Sequence, residues 1–378
     1  MDTLVLKGRK WKYLGDREAV APVVATMLLI VIMLMIVAVV ISWGVPLIQE
    51  NQDETTIRTY RRNMNTLEGN LKHCIQKGPG FQLENTYNFQ DSEFYMKKDS
   101  ETWLIYYSCF PTINISYLGL DDHNDFFDIK TEGPVGYPEF DLKKCWARIE
   151  FIDPKPLHGD SVRDVPYASG FLLSNNDNST GNYKRTVEIR GTVRISVLFN
   201  ETVISEAWMF SLDMIEQKVT TNSETYLMGL GNGGLLESDS TSTRIVTEPV
   251  FTENNIFGSL GISMIDYRNE DLDYFSEGIY TIGFEVETQE TFNIKNVYNL
   301  HLKIDSSWTE TWYHYLDRDY QKFDGSLSEY TGYRFSEEDN RIDYLYPANS
   351  ALGRNNLNPN NIDLQLSRYI VRSWFEEG

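Results

Sequence analysis

The apolar residues of this chain are distributed very unevenly. Residues 20–48 read VAPVVATMLLIVIMLMIVAVVISWGVPLI, 29 positions without a charge. As a helix rising ~1.5 Å per residue, the run spans about 43 Å, longer than the ~20 residues that a bilayer core requires. A helix apolar on every side needs a deep protein interior or lipid around it. The rest of the chain offers only short, alternating apolar stretches, so the run predicts a transmembrane helix. Gly44 and Pro46, near its far end, predict a kink or break.

A different pattern follows. Ile57, Tyr60, Met64, Leu67, Leu71 and Cys74 recur in alternating steps of three and four, with Arg58, Arg61, Arg62, Asn65 and Glu68 between them. That spacing predicts an amphipathic helix within 49–80, ended by Lys77-Gly78-Pro79-Gly80. Its apolar seam would pack on the domain that follows or, alternatively, pair with another copy as a short coiled coil.

Beyond residue 80 the period becomes two. Arg185–Val197 alternates apolar and polar residues and is rich in β-branched side chains, which predicts a half-buried strand. Cys145–Ile152, Val203–Leu212, Gly261–Asp266, Tyr280–Glu287 and Val297–Ile304 read the same way. Gly231-Asn232-Gly233-Gly234 predicts a tight turn, Thr309–Tyr320 a helix, 335–362 a loop, and Leu364–Phe375 a last strand or short helix. The expected fold is therefore a single N-terminal transmembrane α-helix extended by an amphipathic helix, then a mainly-β, antiparallel, sandwich-like ectodomain over 81–378, as one unit or two subdomains.

Charge orients this arrangement. Lys7, Arg9, Lys10, Lys12 and Arg17 precede the apolar run, whereas Glu50, Asp53 and Glu54 follow it. The positive-inside rule then places the N-terminus in the cytoplasm and the long C-terminal part outside the cell, in a single-pass cell-membrane protein. The net charge of −21 opposes binding to nucleic acid, which depends on Lys and Arg neutralising phosphates. Aromatic residues make up 13% of the chain, enough for a packed core rather than a disordered tail.

The entry to the apolar run is distinctive. Asp16-Arg17-Glu18-Ala19-Val20-Ala21-Pro22-Val23-Val24-Ala25-Thr26 resembles the start of archaeal type IV pilin-like proteins, whose archaellin-like leader is a class III signal peptide. The resemblance covers about 30 residues. It implies that 1–19 is a cytoplasmic leader cut by a prepilin peptidase between Ala19 and Val20, with Arg17, Glu18, Ala19, Val20 and Pro22 forming the site. It also implies that 20–48 stays on the mature protein as a membrane or pilus-core helix, partnered by membrane lipid and other pilin-like subunits. Val24 stands where bacterial pilins carry Glu, so the similarity is to the archaeal group. The function implied is a structural or adhesive surface protein or filament subunit, not an enzyme. The alternative is an uncleaved signal-anchored binding module for glycan or cell-envelope partners.

Other candidate chemistry is thin. Asn114, Asn178 and Asn200 begin Asn-x-Ser/Thr sequons, acceptors for N-glycans only if exposed outside the cell, with Asn178 favoured for its polar surroundings. Cys74, Cys109 and Cys145 fit no metal or redox motif. Cys109–Cys145 is the preferred disulfide because Cys74 falls on a predicted helix, and three buried free thiols are the alternative. The histidines are scattered, and no zinc-hydrolase pair, nucleophile elbow or phosphate loop occurs. No cofactor or metal is expected. The acidic stretches Asp121–Asp125 with Asp128, and Asn269–Asp273 with Glu277, lack EF-hand order and read as solvated loops. Gly229-x-Gly231-x-Gly233-Gly234 reads as a turn, and Trp308, Trp312, Tyr313 and Tyr315, beside His314, read as core rather than a sugar-binding face.

Overall fold

The computed structural model describes residues 17–89, 92–110, 115–118, 126–131, 145–154, 168–172, 183–186, 191–221, 224–239, 241–249, 251–254, 259–269, 274–275, 278–315, 334–336, 341–346 and 362–377. Its first element is one helix, α1 (Arg17–Lys77). There is no break at Gly44 or Pro46. Proline removes a single backbone hydrogen bond and crowds the preceding turn, and the many intact turns on either side carry the helix through. Side chains reinforce the turns just beyond: Asn51 Nδ2 donates to the Leu47 carbonyl at 2.7 Å, and Thr55 Oγ1 to the Asn51 carbonyl at 2.7 Å. The helix ends where expected. Gly78 has φ +83°, and its N–H bonds the Cys74 carbonyl at 2.9 Å.

The strands come first as β1 (Gln82–Phe89), β2 (Ser92–Ser108), β3 (Ile115–Leu118), β4 (Phe126–Thr131), β5 (Cys145–Pro154), β6 (Ala168–Leu172) and β7 (Tyr183–Thr186). The middle of the chain supplies β8 (Gly191–Phe199), β9 (Thr202–Thr220), β10 (Thr225–Gly231), β11 (Gly234–Ser238), β12 (Thr243–Thr247), β13 (Phe251–Asn254) and β14 (Ser259–Arg268). The last third supplies β15 (Tyr274–Phe275), β16 (Gly278–Ser306), helix α2 (Thr309–His314), β17 (Arg334–Ser336), β18 (Arg341–Tyr346) and β19 (Ile362–Glu377).

Sixteen strands share one sheet, with the main order β12-β11-β10-β9-β2-β16-β19-β14-β13. β8, β5 and β6 branch from β9, β1 and β18 from β16, β15 from β2, and β17 from β18; β3, β4 and β7 form a separate sheet. The domain is mainly β but not wholly antiparallel, because β14 and β19 run parallel over ten residue pairs from Ser259↔Asp363 to Arg268↔Arg372. The stretches Tyr280–Glu287 and Val297–Ile304 belong to a single 29-residue strand, β16. Its ladder shifts register between Ile294 and Val297, where Asn296 has φ 60°. A bulge of this kind bends a strand without ending it. Before the bulge β16 pairs with β1 and β19; after it, with β2 and β18. The segment read as a loop at 335–362 contains β18 and most of β17, which pair with each other.

β9 explains why simple alternation understates the core. Every residue from Ile204 to Gln217 is buried, so both faces of the strand are covered. Trp208, Phe210, Leu212 and Met214 on one face join Trp103, Ile105 and Tyr107 of β2, Met264 of β14, and Trp308 and Trp312 in one apolar cluster. Trp308, Trp312 and Tyr315 are thus core residues, as read from the sequence. The Gly-rich turn is also in place: Asn232 and Gly233 have φ 41° and 74°, the left-handed pair of a tight hairpin between β10 and β11. Asn232 Oδ1 accepts the Ile265 N–H at 2.9 Å, and the Gly233 N–H donates to the Tyr267 hydroxyl at 3.3 Å.

Packing divides the chain into Met1–Arg58 and Thr59–Gly378. Within the second unit Tyr60, Met64, Leu67, Leu71 and Cys74 are buried. The Arg61 guanidinium pairs with Glu237 of β11, which also binds Arg244 of β12 at 2.8 Å. Lys72 Nζ donates to the Glu248 carbonyl at 3.0 Å, and the Cys74 thiol to the Phe284 carbonyl at 3.5 Å. Leu71 is fully buried whereas Leu34 is 63% exposed. Leu71→Ala is therefore expected to lower the unfolding free energy of the β domain by about 2–5 kcal/mol. Leu34→Ala should leave it unchanged, both read by tryptophan fluorescence during denaturation of the full chain in detergent.

Candidate functional site

The feature most open to function is the helix surface at 23–48. It is long and apolar enough to cross a membrane, and none of it is buried by the rest of the molecule. Its larger side chains, Met27 to Ile48, stand roughly half exposed or more, and Trp43 is 81% exposed. The one hydroxyl near its start is satisfied locally, since Thr26 Oγ1 donates to the Val23 carbonyl at 2.9 Å. A helix also pairs its own backbone groups, so such a segment presents no unmet hydrogen bond to hydrocarbon. The polar run Gln49-Glu50-Asn51-Gln52-Asp53-Glu54 marks its C-terminal limit, with Trp43 close by, a placement typical of interfacial aromatics. Arg17, Glu18, Ala19, Val20 and Pro22 lie in the first turns of α1. Residues 1–16 lie outside the described residues.

A second centre lies inside the β domain. Glu101 of β2 is completely buried. Its Oε1 accepts from Trp312 Nε1 at 2.6 Å and Ser306 Oγ at 2.8 Å, and its Oε2 from Trp103 Nε1 at 3.4 Å. Beside it, Glu216 of β9 accepts from Trp308 Nε1 at 2.8 Å and pairs with Lys97. Two glycines of β10 make the room. A Cβ on Gly231 would meet Met214 Cε at 2.5 Å and the Glu101 carboxylate at 3.2 Å; one on Gly229 would meet the Trp308 ring at 3.0 Å. Gly229 and Gly231 are thus strand residues under a tryptophan and a carboxylate, not part of the turn. Burial, opposed by the three hydrogen bonds and aided by the Glu216 charge, pushes the Glu101 carboxyl up to about 7. The chemistry on view is a neutral-donor cradle that ties α2 and the end of β16 to β2. The sequence hid it, because its parts come from five separate segments. The two-residue spacing of Gly229 and Gly231 on a strand was the only local sign.

Two further polar centres are ion-paired, and a third, around His301, is a ring stack. Glu206 of β9 accepts from Tyr107 and Arg194, and from Ser196 Oγ at 3.2 Å. Asp153 pairs with both Arg268 and Arg368, and Arg368 also reaches Glu290 at 3.0 Å. Burial lowers the Arg368 guanidinium to about 10. His301 stacks on Tyr106, ring centroids 4.4 Å apart, and desolvation with the nearby Lys303 charge pushes its imidazole down to about 3.

The expected disulfide is not formed. Cys74 and Cys109 are free thiols. Cys109 follows β2, its N–H bonded to the Ile204 carbonyl of β9, whereas Cys145 begins β5 opposite Phe199 of β8. The order β2-β9-β8-β5 separates the two by three strand spacings, roughly 14 Å, far beyond disulfide reach. Burial, then the Glu206 charge, pushes the Cys109 thiol up to about 12, so it stays protonated at neutral pH. Asn200 is exposed in the turn between β8 and β9. Asn114, Asn178, Asp121–Asp125 and residues 270–273 lie outside the described residues. Among those described, no group of three His, Cys, Asp or Glu side chains is placed to hold a metal ion.

No family model, no curated protein and no solved structure matches the chain.

The Glu101 cradle makes a pH prediction. In the unfolded chain this carboxyl titrates near 4.5 and in the fold near 7. Between those values the folded state holds the extra proton, so this group's contribution to stability falls as pH rises and is flat above about 7. His301, held low, acts in the opposite sense up to about 6.5. The comparison with Glu101→Gln isolates the first effect. From pH 4.5 to 7.5 the variant should gain on the order of 3 kcal/mol relative to the parent, measured by denaturant titration at each pH. A pH-independent difference would contradict the assignment.

Proposed function

We propose that the chain is a membrane-held surface protein of the archaeal type IV pilin-like kind, structural or adhesive rather than catalytic. The observation that carries this reading is the charge-free run Val20–Ile48, helical, exposed from Val23 onward and preceded by the basic leader 1–19. In this reading a prepilin peptidase cuts after Ala19, and the freed helix rests in lipid or bundles with pilin-like subunits. Residues 49–80 then form an amphipathic link, and 81–378 a sandwich-like domain outside the cell. Losing the leader removes the basic residues that hold the N-terminus in the cytoplasm, which lets an otherwise uncharged helix leave the bilayer.

A second reading keeps the leader. Arg17–Pro22 is helical, and a backbone closed in a helix is a poorer peptidase substrate than an extended one. The protein would then be a signal-anchored binding module for glycan or envelope partners.

N-terminal sequencing of the native protein separates the two. Val20 as the first residue is the result expected of pilin-type processing, and an intact leader selects the anchored module. Either way the protein should pellet with membranes after detergent-free rupture. Replacing Leu29 and Leu34 together by Arg costs insertion about 2.5–3.5 kcal/mol per site and should shift it toward the aqueous fraction. Recovery of the unmodified chain in that fraction would defeat both readings.

A further inference from the structure

We propose that Asn200 is an N-glycan acceptor, presented at the tip of the β8–β9 hairpin; the proposal rests on the reading that this domain reaches the outer face of the membrane. The site combines sequence and geometry. Asn200-Glu201-Thr202 is a sequon with a non-proline middle residue. Asn200 and Glu201 are the two turn residues, with φ 48° and 65°, and Phe199 pairs with Thr202 across the hairpin's last rung. All three sequon residues are exposed, whereas Val197, Leu198 and Ile204 on either side are buried. The strands below are fixed in the core, so the turn stands out from a rigid base. Among the described residues, the Asn200 amide has no hydrogen-bond partner to hold it back.

A purely conformational account explains part of this. Asn tolerates the left-handed backbone that a two-residue hairpin turn imposes. It does not require the hydroxyl of Thr202, which is what a glycosyl transferase reads. The reaction asks nothing of this chain beyond the exposed sequon. The amide nitrogen of Asn200 attacks the anomeric carbon of a polyprenyl-phosphate-linked oligosaccharide. A C–N bond forms, the C–O bond to phosphate breaks, and the lipid phosphate leaves with the electron pair. The amide proton passes to a base on the transferase, and no redox change occurs. A bulky glycan on this turn displaces no contact of the core, because the residues it would cover already face solvent.

The test is mass analysis of the tryptic peptide Ile195–Lys218, which holds one sequon and no internal Lys or Arg, from native full-length protein of its own host. Glycan mass is expected on this peptide in the parent and in Thr202→Ser. It should be lost in Thr202→Val and in Asn200→Gly, which keeps the turn conformation. Protease treatment of intact cells runs alongside. A bare peptide from a domain the protease can reach overturns the acceptor and leaves the surface reading standing. A bare peptide from a protected domain overturns both. Glycan mass retained in Thr202→Val would show a linkage that does not depend on the sequon and would also overturn the proposal.

Discussion

The backbone hydrogen bonds along β16 hold the β domain together. A strand satisfies its amides and carbonyls only where a neighbour runs beside it, and 29 residues in one extended piece demand neighbours along their full length. Four strands meet that demand: β1 and β19 before the bulge at Asn296, β2 and β18 after it. They come from both ends of the domain's sequence, so β16 links segments nearly 300 residues apart, from Gln82 to Glu377. The parallel pairing of β14 with β19 follows from this arrangement. β19 is already held antiparallel on β16, and its free edge is taken by a strand whose direction the chain path has set.

With β9 covered on both faces, acidic side chains that alternation would place at the surface end up inside, and each is compensated differently. Glu237 lies between two guanidiniums, Glu206 is held by Arg194 and Tyr107, and Glu216 has Lys97 with one indole. Glu101 receives only neutral donors. A buried carboxylate without a counter-charge is the costliest of these states, since burial disfavours the ion and dipoles offset only part of that cost. The chain as a whole is strongly acidic, yet its interior keeps most of its carboxylates neutralised. The chain's net negative charge favours solubility.

Much of this was legible locally. The charge-free run gives the long helix, Lys77-Gly78 its end, and the glycine pair beyond Asn232 a hairpin, because each depends on residues adjacent in sequence. The alternating stretches Cys145–Ile152, Val203–Leu212 and Gly261–Asp266 all lie in strands. What failed was connectivity. Gly44 and Pro46 signalled a kink or break that the neighbouring turns overrode, and 288–296 carried no strand signal between Tyr280–Glu287 and Val297–Ile304, because bulges at both ends of that stretch break the alternation without ending the strand. The Cys109–Cys145 pairing failed because proximity in a sheet is set by strand order. The Glu101 cradle was invisible for the same reason: three indoles and two carboxylates from scattered segments carry no shared spacing.

The hairpin at Asn232 has a chemical corollary. Asn followed by Gly is the dipeptide most prone to lose ammonia, because the glycine nitrogen readily closes on the asparagine carbonyl in a pliant backbone. Here that carbonyl is engaged by the Ile265 amide, the glycine amide by the Tyr267 hydroxyl, and the side chain is wholly enclosed. Ring closure is blocked while the native hairpin persists and resumes whenever it opens. Isoaspartate accumulating at position 232 in stored protein would therefore act as a clock, recording the cumulative time each molecule has spent with this part of its core undone.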